Sequence, residues 1–464
     1  MNSVKVNYMT ADEAVRLIKS GDHVFIQGST SIPEVLVEAM ARRGNELRNV
    51  RLYQGFAVAK GPAPYCREEC ADAFYPDPCF ISNSVREWID KGNGSTTPCF
   101  LGEVPRLFRE GICPVDVCLL NCSLPDKNGY VSYGVSADLA YSAAESARIV
   151  IAQINRRMPF SFGVSADLAV SAVECAKTVI AQVNTAMPFS YGDAVIHLSR
   201  VAAAVEVDDP LVEVPTPEPT PAEIALGNNV AALIPDGATL QIGVGGIPNA
   251  IIRALAGHKH LGVHTEAMTD GLLPLMESGA IDNSMKRVMP GKSVASLALG
   301  SRRLYEFMDY NPDIIFKDVA WTNDPFRIAQ NPKVMSINSC LEIDLTGQIC
   351  SDSIGTHMFS GVGGQVDFVY GSSRSEGGKS FLTMLSTTRK GMSKIKPVLT
   401  PGAGVVTTRY MAHYIATEHG CVCLRGKDLA ERARLLISIA DPSAREELER
   451  AARERYGRAF GRQW

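Results

Sequence analysis

The sequence predicts an α/β fold of two related open domains with mainly parallel sheets. Residues 10–42 read as helix, strand, glycine-containing loop and helix, which is the order of elements in α/β domains. The stretch 15–41 matches 230–256, so that Gly28 falls on Gly243. The recurrence of one pattern in both halves of the chain predicts two domains with a common fold.

Length and composition support this division and exclude several classes of protein. A chain of 464 residues is too long for one ordinary core. A net charge of −4 argues against a nucleic-acid-binding surface. No apolar run reaches transmembrane length, and the N-terminal residues lack a signal-peptide pattern, so we expect no membrane partner. The 12 cysteines are scattered, which favours reduced thiols in the cytoplasm over disulfides.

The first elements are marked by capping and turn signals. Thr10 and Glu13 form a capping box, which predicts a helix to about Lys19. A turn then leads into the strand HVFIQG, and after a loop we expect a helix over 34–42. Further along, Cys66 and Cys70 show CxxxC spacing without a nearby histidine, so we interpret them as buried cysteines and expect no metal site.

Residues 132–160 and 161–189 repeat nearly the same sequence, with 20 of 29 positions identical. Each copy predicts a turn, a helix and a strand, and the helix of the first copy is expected at 138–147. Two copies are too few for a solenoid, which needs about three or more repeats. We interpret the stretch as a tandem insertion in the N-terminal domain, where the extra unit adds a helix and an edge strand or contributes to a subunit contact.

A proline-rich stretch, 210–223, lies between the two halves and predicts a stiff, extended linker. The predicted domains are therefore 1–209 and 224–464. The first half has only Gly28 followed by Ser-Thr-Ser at its loop, whereas the second half has a cluster of glycines. The special chemistry is expected in the second half.

The glycine cluster of the second half follows the predicted strand 239–242. The loop 243–246 reads Gly-Val-Gly-Gly, and a helix is expected from about Pro248. Glycines permit close approach of a ligand, and N–H groups at the start of a helix favour a phosphate or an oxyanion. A dinucleotide site is an alternative, with Glu266 as the ribose ligand, but Pro248 stands where that fingerprint requires its third glycine.

Glu266 follows a short apolar run and is expected near the carboxyl end of a strand, where α/β sheets have their sites. The glycine loop ends the preceding strand, so the two are expected as neighbours. A carboxylate beside backbone N–H groups can attack an acyl group. A second glycine cluster, 361–364, suits a ligand with a long phosphate-bearing arm. A solvated loop glutamate and two tight turns are the alternatives.

Seven motifs, in order along nearly the whole chain, resemble the acetyl-CoA hydrolase/transferase group of CoA-transferases, especially the 4-hydroxybutyrate and butyryl-CoA:acetate CoA-transferases. The motifs are SLPDKNGYVS, GVGGIPNAI, GVHTEAMTDG, INSCLEIDLTGQ, SGVGGQVDF, STTRKGMSKI and TEHGCVCLRGK. The resemblance implies the CoA-transferase fold in both domains. It also implies acyl-CoA and a short-chain carboxylate as substrates, no tightly bound cofactor, and a homo-oligomer, either a dimer or a tetramer.

The resemblance also implies a reaction and its residues. Glu266 matches the nucleophile, which forms a glutamyl-CoA thioester in a ping-pong reaction. Asn323 matches an active-site asparagine, and the amide of Gly364 matches a donor to the oxyanion. The further positions that match CoA contacts are Gly243, Val244, Gly245, Gly246, Ile247, Leu341, Ser360 and Arg389.

The chain departs from the family's pattern at two places. Arg389 stands where relatives often have lysine, and the two cations differ in geometry. Phe160 and Phe189 follow the Met-Pro pairs where relatives have arginine, and relatives carry the repeated unit once. An acyl-CoA hydrolase that uses the same glutamate is the alternative enzyme, and a non-catalytic CoA-binding protein is the alternative of another class.

Overall fold

The computed structural model describes residues 8–123, 130–132, 139, 142–143, 146–155, 182–184, 188, 190–193, 195–197, 204–207 and 210–461. Most of the duplicated stretch lies outside these residues, and so do Phe160, Phe189 and half of the helix expected at 138–147.

The strands of the described residues are short, and most belong to parallel pairs. They are β1 (His23–Ile26), β2 (Val50–Gln54), β3 (Phe74–Pro76), β4 (Val117–Ser123), β5 (Tyr130–Ser132), β6 (Ile149–Asn155), β7 (Gln182–Asn184), β8 (Tyr191–Gly192), β9 (Val195–His197), β10 (Ala204–Val207), β11 (Thr239–Ile242), β12 (Gly262–Val263), β13 (Ala267–Thr269), β14 (Ser293–Ala295), β15 (Leu297–Leu299), β16 (Ile314–Phe316), β17 (Val334–Ser339), β18 (Glu342–Asp344), β19 (Ile349–Cys350), β20 (Ser353–Ile354), β21 (His357–Met358), β22 (Lys379–Thr383), β23 (Ile395–Lys396), β24 (Tyr414–Thr417) and β25 (Gly420–Cys423).

The helices alternate with these strands. They are α1 (Ala11–Ala14), α2 (Glu34–Ala41), α3 (Asn83–Asp90), α4 (Val104–Arg109), α5 (Pro221–Ala231), α6 (Gly246–Ala254), α7 (Leu273–Glu277), α8 (Arg302–Met308), α9 (Val319–Thr322), α10 (Pro325–Ile328), α11 (Gln365–Arg374), α12 (Leu429–Ser438) and α13 (Arg445–Tyr456). Within the described part of the chain, none of the helices has the length and apolar character needed to cross a bilayer.

The chain forms two compact units. Unit 1 comprises 1–215, 265–270 and 292–324, and unit 2 comprises the remaining segments. The change between the long segments, at 215/216, falls inside the stretch for which the sequence predicts a linker. Two segments that the sequence analysis assigned to the C-terminal domain, 265–270 and 292–324, pack with unit 1. The domain boundaries at 209 and 224 stay a prediction.

Unit 1 is built on a seven-stranded sheet in which every pairing is parallel. Its order is β3-β2-β1-β4-β6-β10-β7, and β4 also pairs with β7. The chain runs from β1 to one side and then crosses to β4 on the other, so the carboxyl end of β1 is a topological switch point. The centre of the sheet is apolar, and Phe25 of β1 packs edge-to-face against Phe108 with ring centroids 5.9 Å apart.

The strands β6 and β7 come from the two copies of the repeated unit. Ile154 of β6 and Val183 of β7, which are equivalent residues of the copies, both pair with Cys122 of β4 and with Glu206 of β10. The strands of the two copies therefore pair in the same register with the same residues of β4 and β10. Whether the spare unit adds an edge strand or a subunit contact stays a prediction.

Unit 2 is built on a six-stranded sheet of order β12-β11-β17-β22-β24-β25. All pairings are parallel except that of β24 with β25, which is antiparallel. Here the switch point lies between β11 and β17, because β12 stands on one side of β11 and the later strands stand on the other. The mixed α/β class with mostly parallel sheets, predicted from the sequence, is confirmed.

The structure corrects several predicted element bounds. The capping box of Thr10 and Glu13 is present, but the α-helix ends at Ala14 and a 3₁₀ turn follows over Val15–Leu17. The end of the predicted linker is helical instead of extended. Thr220 and Glu223 form a second capping box, which starts α5 before the proline-rich composition ends.

Candidate active site

Glu266 lies between two strands of different sheets. The chain leaves β12 at Val263, and β13 begins directly after Glu266. The backbone carbonyl of Glu266 accepts hydrogen bonds from the N–H groups of Ser296 and Leu297, both at 2.9 Å. The residue is half-buried, so the main chain is fixed while the side chain keeps access to solvent.

Asn323 lies directly at the Glu266 carboxylate. Its Nδ2 donates to Oε2 of Glu266 at 2.9 Å, and Asn323 itself is only 1% exposed. The sequence analysis identified both residues by resemblance, and the structure brings them together although 57 positions separate them. An amide donor in a buried position orients the carboxylate that it binds.

The first glycine loop lies at the switch point of the sheet in unit 2. Gly243 N donates to the carbonyl of Ile337 in β17 at 3.0 Å, and the next residues, Val244 and Gly245, are exposed. Gly245 has φ = 129° and ψ = −174°, a conformation that is essentially restricted to glycine. The loop therefore presents its backbone at the carboxyl edge, where α/β sheets bind ligands.

The helix after this loop starts earlier than the sequence predicts. We expected its start at about Pro248, and α6 begins at Gly246 with Gly245 as its N-cap. A Cβ atom at Gly246 would collide with the carboxylate of Glu223, so a larger residue at this first helical position would displace that side chain. The glycine thus extends the helix by two residues and brings its N-terminal N–H groups up to the exposed loop.

The second glycine loop leads into α11. Gly363 has φ = 57°, and Gly364 is the N-cap of this ten-residue helix. The loop is anchored at its start because Ser360 N donates to the carbonyl of Asp352 at 3.0 Å. The side chain of Ser360 donates to the carbonyl of Ser351 or of Gly361, each at 3.3 Å.

The remaining predicted CoA contacts follow the carboxyl ends of neighbouring strands. Leu341 lies two residues after the end of β17 and is held by a hydrogen bond from its N–H to the carbonyl of Cys350 at 2.9 Å. Arg389 is exposed in the turn that follows β22. Because β11, β17 and β22 are parallel neighbours, their carboxyl ends lie on one edge of the sheet. The helix α11, which leads back to the start of β22, begins on the same edge.

A polar cluster holds the end of β12, just before the Glu266 segment. Asn283 Oδ1 accepts from Val263 N at 2.9 Å, and the Lys286 ammonium donates to Val263 O at 2.7 Å. Asn331 Nδ2 lies 3.4 Å from Nδ1 of the buried His264. Burial lowers the pKa of Lys286 to about 7. These side chains fix the strand end from which the chain continues to Glu266.

Lys286, Asn283 and Asn331 were not predicted as part of the site, because nothing in a single sequence marks a polar residue as buried. Asp318 was not predicted either, although a signal existed: an aspartate directly before a short helical segment is a typical N-cap. Within the described ranges, no three His, Cys, Asp or Glu side chains are grouped as metal ligands. Of the two cysteines expected to be buried, Cys70 is buried and Cys66 is half-buried, and partial burial raises the pKa of the Cys66 thiol to about 12.

Two family models match the chain. The acetyl-CoA hydrolase/transferase N-terminal domain matches residues 4–162, and the acetyl-CoA hydrolase/transferase C-terminal domain matches residues 300–452. The first match ends two residues after the first copy of the repeated unit, which ends at 160.

Full-length relatives and solved structures agree with these matches. The 4-hydroxybutyrate coenzyme A transferase of Clostridium kluyveri is 39% identical, over 97% of this chain and 98% of the relative. The succinyl-CoA:cyclohexane-1-carboxylate CoA transferase of Geobacter metallireducens is 40% identical, over 95% and 94%. The crystal structure of RipA from Yersinia pestis superposes with a TM-score of 0.84 at 33% identity, and 97% of each chain is covered.

Proposed function

The chain belongs to the acetyl-CoA hydrolase/transferase family, and we propose that it transfers CoA from a short-chain acyl-CoA to a carboxylate such as acetate or 4-hydroxybutyrate. It is a CoA-transferase, as are its full-length relatives. The observation that carries the proposal is the Glu266 carboxylate, half-buried and oriented by the amide of Asn323 at 2.9 Å. The dinucleotide alternative has no comparable support, because Pro248 breaks its fingerprint.

The proposed reaction begins when a Glu266 carboxylate oxygen attacks the thioester carbon of the acyl-CoA. The C–S bond breaks, the CoA thiolate leaves, and a mixed anhydride forms. The thiolate then attacks the Glu266 carbonyl carbon, the C–O bond breaks, and the first acid leaves as a carboxylate. A glutamyl-CoA thioester remains, and the acceptor carboxylate reverses these two steps.

Glutamate suits this reaction because it is itself a carboxylate. The exchange of one thioester and one carboxylate for another pair is nearly isoenergetic, so no nucleotide hydrolysis is required. Asn323 is proposed to hold one oxygen of Glu266 so that the other faces the thioester carbon. The Gly364 amide is proposed to stabilise the oxyanion, which is usually a large term in acyl transfer.

The CoA itself is proposed to bind at the edge of unit 2. The exposed loop from Gly243 to Ile247 offers backbone N–H groups at the start of α6, which favour a phosphate. Leu341, Ser360 and the exposed Arg389 are proposed as further contacts. A guanidinium can bind phosphate oxygens in a bidentate manner, so we expect Arg389 to replace the family's usual lysine in function.

The first experiment separates transfer from hydrolysis. Butyryl-CoA consumption is followed with and without acetate, together with the appearance of acetyl-CoA. A CoA-transferase consumes the donor only when the acceptor acid is present, and its double-reciprocal plots are parallel. Consumption at the same rate without acetate would show the hydrolase instead, with water capturing the Glu266 intermediate.

A second experiment tests the nucleophile. Glu266→Gln keeps the side-chain size and the contact with Asn323 but removes the attacking carboxylate, so turnover should fall by about 10⁴-fold or more. The matched control is Glu306→Gln, which alters an exposed helix residue and should leave turnover unchanged. Borohydride reduction of the acyl-CoA-treated enzyme, followed by peptide mass analysis, should detect a reduced residue 266 only in the wild type and the control.

The assembly as a dimer or tetramer, the cytoplasmic location and the absence of a bound cofactor stay predictions.

A further inference from the structure

Two ion pairs of unit 1 lie directly before the helix that carries Asn323. Arg109 Nη2 is 2.9 Å from Asp318 Oδ2, and Lys317 Nζ is 2.5 Å from Asp193 Oδ1. The Asp318 side chain is only 8% exposed. Burying an ion pair costs desolvation that its attraction often fails to offset, so a buried pair is better explained by what it orients than by stability.

Asp318 uses both carboxylate oxygens. Its Oδ1 accepts from Ala320 N at 2.6 Å and thereby caps α9, while Oδ2 accepts from Arg109. At the other end of the same turn, Asn323 N donates to Val319 O at 2.8 Å. A four-residue helix has too few internal hydrogen bonds to hold its own direction. The cap at Asp318 therefore fixes where Asn323 stands.

The two ion pairs tie this helix to the framework of unit 1. Arg109 is the last residue of α4, which packs against α9. Asp193 follows Gly192, whose φ of 119° and close contact with the carbonyl of Phe316 leave no room for a Cβ atom. Asp193 N also donates to Phe316 O at 3.0 Å. The anchoring carboxylate of Asp193 thus has a fixed position beside β16.

We propose that Asp318, held by Arg109, is a positioning residue that sets the amide of Asn323 on the Glu266 carboxylate. This inference rests on the proposed CoA transfer through Glu266. Asp318 touches neither substrate nor the reacting atoms, and it acts through Asn323. The Lys317–Asp193 pair supports the same turn from the other side.

The charge of Asp318 should make this positioning depend on pH. Burial raises the pKa of Asp318 to about 7, while Arg109 acts in the opposite direction. The charged groups around it are Arg109, Asp193 and the adjacent Lys317. Protonation removes the charge that Arg109 binds. The turnover number should therefore fall as pH decreases through about 7.

The test is a double-mutant cycle on the full-length enzyme. Asp318→Asn keeps the shape and removes the charge, and Asn323→Ala removes the amide. Each change should lower kcat by about 10- to 100-fold, and the KM for butyryl-CoA should change by less than about threefold. Because Asp318 acts through Asn323, the double variant should be no slower than Asn323→Ala alone. Asp318→Asn should also lack the loss of kcat near pH 7.

Two further variants keep the test decisive. Arg109→Lys retains the charge but loses the guanidinium fork, so it should lower kcat less than Asp318→Asn does. In the Asn323→Ala background this loss of kcat should also disappear. Asp12→Asn breaks the exposed pair with Arg42 and should change nothing. Losses that multiply in the double variant, or an unchanged kcat in Asp318→Asn, would overturn the positioning role. Full turnover in Glu266→Gln would overturn the proposed function as well.

Discussion

The two units place a glycine loop at the same topological point, but one loop is closed and the other is open. In unit 1, Gly28 follows β1 at the switch point and is buried, and Ser29 exchanges backbone hydrogen bonds with Phe56 and Val58. In unit 2, Gly243 follows β11 at the switch point, and Val244 and Gly245 are exposed. The same order of elements therefore yields a structural turn in one unit and a candidate ligand loop in the other.

The difference shows which part of the shared pattern carries function. A switch point alone does not make a ligand site, because a neighbouring loop can form hydrogen bonds with the backbone groups of the glycine loop that lies there. In unit 1 the loop after β2 does this, and Ala57 is fixed in turn by a hydrogen bond from its N–H to Ser82 Oγ at 2.8 Å. In unit 2 the glycines at 245 and 246 extend the helix towards solvent instead.

Among the changes that test this comparison, the largest effect on kinetics is expected from a substitution in the open loop. Gly245→Ala forces a residue with a Cβ into φ = 129°, which costs about 1–3 kcal/mol. If that strain shifts the loop away from its CoA-binding shape, the KM for acyl-CoA should rise by about 10- to 100-fold, since 1.4 kcal/mol is a factor of ten. Steady-state kinetics with varied butyryl-CoA measures this. An unchanged KM would contradict the assignment of this loop to CoA.

The matched change in the closed loop should have a smaller and different effect. A Cβ atom at Gly28 would lie 2.5 Å from the backbone oxygen of Phe56, so the backbone must shift. Gly28→Ala should lower the free energy of unfolding by about 1–3 kcal/mol, as overpacking does. The KM for acyl-CoA of the folded enzyme should stay the same. Denaturant unfolding and kinetics on one preparation check both parts, and a raised KM without destabilisation would remove the contrast between the loops.

The smallest effect should come from deleting one copy of the repeated unit in the half that holds the closed loop. Residues 161–189 can be removed so that Phe160 joins Ser190, and Ile154 then has no competitor for its pairing with Cys122. The shortened enzyme should fold and keep its kcat and KM within about twofold, since Glu266 and Asn323 are untouched. A folded but inactive product would show that the second copy contributes to the site.

Local signals in the sequence predicted much of the framework. Thr10 and Glu13 marked the first helix, since a capping box depends only on residues three apart. The start of α6 was placed two residues late because Pro248 is a strong local signal, whereas the space beside Gly246 depends on Glu223 in another helix. The last residues of the predicted linker are helical because proline also suits the first turn of a helix.

Local patterns pointed to Glu266 and the glycine loops, but Asn323 and the role of each site residue were predictable only through resemblance. No spacing rule joins Glu266 to Asn323, whose contact depends on how distant segments fold together. The roles of Asp318 and Lys286 depend on burial and on partners such as Arg109, which lies 209 positions away. These partners are set by the tertiary fold, and a single sequence contains no signal for them, although it does mark Asp318 as a candidate N-cap.

The way the chain is shared between the units has a consequence for its synthesis on the ribosome. The chain passes from one unit to the other after Pro215, His264, Asp270, Gly291 and Asp324. Domains generally fold as units while the chain emerges, starting from the N-terminus. Unit 1 cannot be completed in this order, because β13 to β16 and Asn323 leave the ribosome long after the seven strands of its main sheet. Unit 1 therefore stays incomplete until Asp324 has emerged, and its unfinished surface must be protected until then. Truncated products that end before Asp324 should depend on chaperones.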